Sequence, residues 1–203
     1  MKKLISFIFA AFVCICSAAQ TNDLTAEVQE ILKQQAAAKV NELTDHISFV
    51  MRKSGYDDTV KDYHIKAAKQ LFVGGGKAYE DRYGNLQPAP RMQVSSINRS
   101  TGSVSVKEYQ VANYLNNLKY LSYDTIEVTN SKSTFISNLH KLDTDEYEAV
   151  LSWVQIFIGK RNDMVIYKDR TKKNIVVRMQ RKNYGGVERW EVLLGDTTIS
   201  VTE

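Results

Sequence analysis

Cysteine is nearly missing from this 203-residue chain, and both copies, Cys14 and Cys16, sit in an apolar N-terminal run. Residues 1–19 read as a secretory signal peptide. Lys2 and Lys3 form its positive head, residues 4–15 its apolar stretch, and Ser17, Ala18 and Ala19 supply small residues at a cleavage point. Lipid attachment at Cys14 or Cys16 is the rival reading, but the residues before them, Val13 and Ile15, are not the small ones such processing favours. Cleavage after Ala19 removes both cysteines. That excludes a disulfide, a thiolate nucleophile and a cysteine metal site from residues 20–203, read as one domain. The expected location is exported, periplasmic or extracellular. No further segment is apolar and long enough to be a transmembrane helix.

Histidine is nearly as scarce, with His46, His64 and His140 scattered and no two at ligand spacing on a helix. No metal site and no cofactor are expected. Proline occurs only at Pro88 and Pro90, which forbid helix there. Gly74, Gly75, Gly76 and Lys77 suggest a phosphate loop but fail on spacing, because Leu71 stands where a glycine is required and Ala78 where Ser or Thr is required. They also follow a predicted helix, so no helix N-terminus faces an anion.

Charge is unevenly spread. Without Lys2 and Lys3 the chain has 25 basic and 23 acidic residues, a net of +2. Residues 160–189 hold ten Lys/Arg and three acids, a net of +7, which leaves −5 for the rest. This segment is either a site for an anionic envelope component or a solvated edge that discourages strand pairing. Export and the lack of a recognition motif argue against nucleic acid as a partner.

Apolar periodicity supplies the architecture. A long helix from Asn22 or Asp23 to about Arg52 carries Val28, Leu32, Val40, Leu43, Ile47 and Val50 on one stripe. A second, about 59–73, starts at Asp57 or Asp58, with Val60, Tyr63, His64, Ala67 and Leu71 inward. A third is predicted over about 106–121. Short strands are expected at 92–97, 125–130 and 134–139, then long antiparallel strands at 146–158, 164–167, 175–181 and 187–202. Tyr184, Gly185 and Gly186 suit a tight hairpin turn. Strand 146–158 is apolar on both faces: Val150, Val154, Ile156 and Ile158 on one, Leu151, Trp153 and Phe157 on the other. Its second face predicts a homodimer through the sheet, to be broken by Trp153→Glu.

This element order, with the segments 83–90 (YGNLQPAP) and 188–196 (ERWEVLLGD), resembles exported bacterial members of the NTF2-like (cystatin-like) α+β superfamily. The resemblance implies three N-terminal helices packed on a curved antiparallel sheet, with a conical pocket. It also implies a homodimer and a small apolar ligand. Enzymes of that superfamily, isomerases and dehydratases among them, keep Asp, His or Tyr in the cone for acid–base work. The matching candidate here is His64, with Tyr63, Tyr167 and Trp190 as ligand-binding walls and Asp124 or Glu191 as a carboxylate partner. The plainer alternative makes His64 a hydrogen-bonded core residue, the aromatics core, and Glu191 solvated. Two functions follow: a non-catalytic exported binding or assembly module, or a small-molecule isomerase, dehydratase or hydrolase.

Overall fold

The computed structural model describes residues 24–52, 57–98 and 100–203. The expected signal segment, residues 1–19, lies outside the described residues. Its elements in chain order are α1 (Ala26–Met51), α2 (Asp58–Gln70), β1 (Tyr79–Glu80), β2 (Leu86–Gln87), β3 (Arg91–Ile97), β4 (Val104–Gln110), α3 (Val111–Asn117), β5 (Thr125–Asn130), β6 (Thr134–Phe135), β7 (His140–Asp143), β8 (Glu146–Arg161), β9 (Met164–Tyr184) and β10 (Val187–Thr202). The fold is α+β, with three helices against one large sheet.

The helices begin where polar caps allow. Thr25, and not the expected Asn22 or Asp23, caps α1 by accepting the Val28 N–H at 3.3 Å. Asp57 caps α2 by accepting from Val60 at 2.9 Å. The predicted stripe of α1 holds, with Leu32, Val40, Leu43, Ile47 and Val50 all buried. That of α2 is turned by about one residue: Lys61, Ile65 and Ala68 face in, and Tyr63 is exposed. Lys61 hides this phase from the sequence, because a charged residue lays its methylene stem on the core. After α2 the chain turns through Gly74 and Gly75, both at φ 62°. A Cβ on Gly74 would lie 2.8 Å from the Tyr79 ring.

The third helix is shorter than expected. Residues 104–110 are strand β4, paired in register with β3, and α3 starts only at Val111 before a short 3₁₀ turn, Leu118–Tyr120. β-branched Val104 and Val106 and the Gly102 turn favour a hairpin over a helical start.

The sheet order is β4-β3-β10-β9-β8-β5, antiparallel except where β10 meets β3. The two predicted pieces of β9 are one 21-residue strand, paired to β8 on one side and β10 on the other. The other edge of β8 is covered in turn by β7, β6 and β5. Residues Gly195 and Asp196 bulge out of β10, and the Asp196 carboxylate accepts the Arg91 N–H at 2.8 Å, tying β3 to the bend.

Core packing explains where a cavity can exist. Leu151, Ile175 and Met92, Ala149, Val177 and Leu194, and Tyr147, Met179 and Val192 form buried rows facing α1 and α2. A 21-residue strand extends about 70 Å, whereas the 26-residue α1 extends about 39 Å. The helices therefore cannot cover the whole inner face. Trp153, on that face, is 5% exposed and belongs to the core, so Trp153→Glu would disrupt the core and cannot test a dimer. The half-buried Val150, Val154, Ile156 and Ile158 occupy the outer face.

Candidate functional site

Strand β9 changes character halfway along its inner face. Met179, Val177 and Ile175 point into the core, and the next three inward residues are Lys173, Thr171 and Asp169. All three are at most 8% exposed. They open onto a cavity of about 260 Å³ between the sheet, the C-terminal end of α1, and α3 with the turn after it. Ile47, Met51, Val94, Leu118, Leu121, Val128 and Phe157 make most of its wall apolar. Tyr123, Phe157 and Tyr167 form an aromatic corner, with ring centroids 5.7 to 6.3 Å apart. Gly159 makes room for that corner, because a Cβ there would come within 2.5 Å of the Tyr123 ring.

The polar groups of the cavity form a linked set. The Tyr167 hydroxyl donates to Asp169 Oδ2 at 2.7 Å and accepts the Ile97 N–H at 3.3 Å. The Thr171 hydroxyl donates to Asp169 Oδ1 at 3.4 Å. Ser95 Oγ lies 3.2 Å from Thr171 Oγ1 and accepts from the Thr202 hydroxyl at 2.8 Å. Among the described residues, Lys173 Nζ has no hydrogen bond and no ion pair.

Burial sets the proton affinities. It raises the Asp169 carboxyl above the usual carboxylate range, against the hydrogen bonds from Tyr167 and Thr171 and the charge of Lys173. It pulls the Lys173 amine down to about 8, against the opposing charge of Asp169. Burial, helped by the Asp169 charge, pushes the Tyr114 phenol up to about 12. Tyr167 is raised as well, first by burial and then by its bond to Asp169. The arrangement can take up or give up a proton near neutral pH, and it can offer phenol hydrogens to an oxygen.

Of the residues singled out in the sequence, Tyr167 lines this cavity. Tyr63 is 67% exposed on α2. His64 lies outside the cavity: its Nδ1 sits 2.9 Å from that of His46, its ring stacks on Phe49 at 4.4 Å, and Tyr63 meets it edge-on. Burial, then the His46 charge, lowers its pKa. Trp190 packs edge-on against Tyr147 and under the Arg181 guanidinium, and lines a different recess of about 360 Å³ between α1 and β10. That recess is wider but largely polar, with Gln35, Lys39, Glu42, Gln70 and Glu191 on its walls. It lacks the inward set of acid, amine and hydroxyls, so the smaller cavity is the better candidate. Asp124 accepts the Asn162 N–H at 2.9 Å in a turn, and Glu191 pairs with Lys182.

Asp169, Thr171 and Lys173 escape a reading of the sequence because they lie in the basic segment. Continuing the two-residue alternation back from Met179 would have found them. Much of that segment's charge is neutralised locally: Lys160 pairs with Glu127, Arg170 with Glu203, Arg178 with Glu146 and Glu148, and Arg181 with Asp145 and Glu188. These pairs favour the solvated-edge reading. Among the described residues, no group of three or more His, Cys, Asp or Glu side chains is gathered for a metal ion, and no helix is long and apolar enough to cross a membrane.

No protein-family model matches the chain, and no curated protein sequence matches it. Among solved structures, it is similar to a scytalone dehydratase-like protein from Novosphingobium aromaticivorans, with 10% identity, a TM-score of 0.39, and coverage of 86% of this chain and 89% of that one. It is also similar to a hexachlorocyclohexane dehydrochlorinase (LinA) of type 2, with 9% identity, a TM-score of 0.39, and coverage of 86% and 91%. Neither likeness assigns a role to any residue here. The chain's own geometry makes it a pocket-bearing α+β domain.

Proposed function

We propose that this chain is an exported small-molecule isomerase or dehydratase, working by proton transfer in the cavity. The observation that carries the reading is the run Asp169, Thr171, Lys173: acid, hydroxyl and amine at successive inward positions, facing space whose walls are mostly apolar. Apolar walls hold the carbon skeleton of a substrate and exclude water. Asp169, raised by burial above the usual carboxylate range, is suited to moving a proton to or from carbon. Tyr114 stays a phenol across the ordinary pH range and donates to a developing oxyanion. Export rests on residues 1–19.

A second reading, the non-catalytic binding module, draws on a different observation. Both oxygens of Asp169 are already engaged by Tyr167 and Thr171, as in a network that only shapes a ligand pocket. Under it the cavity holds a small ligand without turning it over.

One experiment tests the first reading and separates it from the second. A panel of small cyclic ketones and alkenes is screened by thermal shift, and the binders are incubated in D₂O with the protein. The enzymatic reading expects bound ketones to gain deuterium at the α-carbon, with the gain abolished in Asp169→Asn. Binding without deuterium uptake selects the non-catalytic module. A panel with no binders refutes the isomerase or dehydratase reading of the cavity.

A further inference from the structure

We propose that Lys173 is a nucleophile, whose Nζ condenses with a small aldehyde or ketone seated in the cavity to form a covalent imine. This rests on the cavity being a small-molecule site, and adds the substrate class and the reacting atom.

Packing alone does not account for this amine. Lysine is almost never fully buried unless paired, yet Lys173 is 6% exposed, with no hydrogen bond or ion pair among the described residues. Burying an unpaired ammonium is costly, and the next inward residues of the same strand, Ile175 and Val177, show what simple packing selects. The side chain instead lines the cavity, whose walls are mostly apolar. Burial holds the amine near 8, so a useful fraction carries a free lone pair at neutral pH. The neighbours complete the chemistry. Asp169 and the hydroxyls of Tyr167 and Thr171 form a connected path for protons, and Tyr114 adds a phenol donor.

The step balances without an oxidant or reductant. The Nζ lone pair attacks the carbonyl carbon, and the C=O π pair moves onto oxygen. The oxygen gains two protons in all, the nitrogen gives up two, and one water leaves as the C=N bond forms. Protonation of the imine then withdraws electrons from the α-carbon, whose proton Asp169 can remove. Hydrolysis reverses the condensation and frees the ligand.

Benzaldehyde is the probe. The full chain is mixed with an equivalent of benzaldehyde and sodium cyanoborohydride, which reduces an imine to a stable benzyl amine, and peptide mass spectrometry locates the label. We expect one benzyl group per chain, on Lys173, forming on the order of tenfold or more faster than on surface lysines such as Lys168 at pH 7.5. In Lys173→Met, checked for its fold by circular dichroism, that label is absent. Benzyl groups spread over surface lysines with Lys173 of the native chain unmodified overturn the inference. Because the ketone panel measures non-covalent binding separately, binding without Lys173 labelling rejects the nucleophile and leaves the site. Labelling of Lys173 without panel binders keeps the nucleophile and rejects the wider reading.

Discussion

Replacing Lys173 by Met should stabilise the protein, by an amount that shrinks as pH rises. The amine titrates near 8 in the folded chain against an ordinary 10.5. A proton affinity displaced by one pH unit is worth about 1.4 kcal/mol, so the charge costs folding about 3 kcal/mol at pH 7. The sign follows from the depressed value. Between pH 8 and 10.5 the unfolded chain holds a proton that the folded chain has released, so native stability rises with pH. The cost is fully present below pH 8, falls to about 2 kcal/mol at pH 9 and about 1 kcal/mol at pH 10, and vanishes above 10.5. Methionine matches lysine closely in length and is uncharged, so its packing offset does not vary with pH. Urea unfolding of both proteins at pH 7, 9 and 10, followed by tryptophan fluorescence, measures the difference. A gap that stays constant across this range refutes the claim that Lys173 sits desolvated and unpaired.

Three further outcomes follow from the same geometry. Tyr114 is held protonated to about 12, so the native protein should lose stability relative to Tyr114→Phe as pH climbs above 10, by about 1 kcal/mol at pH 11 in urea melts. Gly159→Ala drives a methyl into the Tyr123 ring at the aromatic corner; it should cost about 1–3 kcal/mol by urea unfolding and weaken the binding of cavity ligands by calorimetry. If a second copy covers the sheet, Val154→Glu with Ile156→Glu should convert a dimer to a folded monomer in light scattering, whereas Trp153→Ala should lose about 3–5 kcal/mol with no change of assembly.

How much of this is legible in the sequence depends on how many forces act on each segment. The stripe of α1 and the long strands β8 and β10 are readable because burial alone decides their pattern. The α3 region is not: Val111, Leu115 and Leu118 fit a helical stripe, and pairing with β3 makes residues 104–110 a strand. The phase of α2 slips because Lys61 is inward and Tyr63 outward, the reverse of what polarity suggests. His64 follows that slip out of the cavity, while Tyr167 keeps its place because strand alternation carries it there. The largest miss is Lys173. In a sequence, a lysine beside Lys172 and near Arg170 reads as surface, yet on a strand those neighbours point to the opposite face.

Proton linkage gives the cavity a further test of what it prefers to bind. Burial moves Asp169 up and Lys173 down, so both groups are pushed toward their uncharged forms. An anionic ligand placed against Lys173 would favour the ammonium and raise its pKa, so binding would take up a proton and weaken as pH passes 8. A neutral carbonyl compound that condenses with the free amine does the reverse, with apparent affinity growing as pH rises toward 8 and levelling above it. Calorimetry in two buffers of different ionisation heat reads the proton count directly, and titration at pH 6.5, 7.5 and 8.5 reads the trend. Proton uptake with falling affinity would make Lys173 an anion holder and turn the search toward carboxylates. Proton release with rising affinity is the signature of an imine that rests neutral and is protonated only transiently.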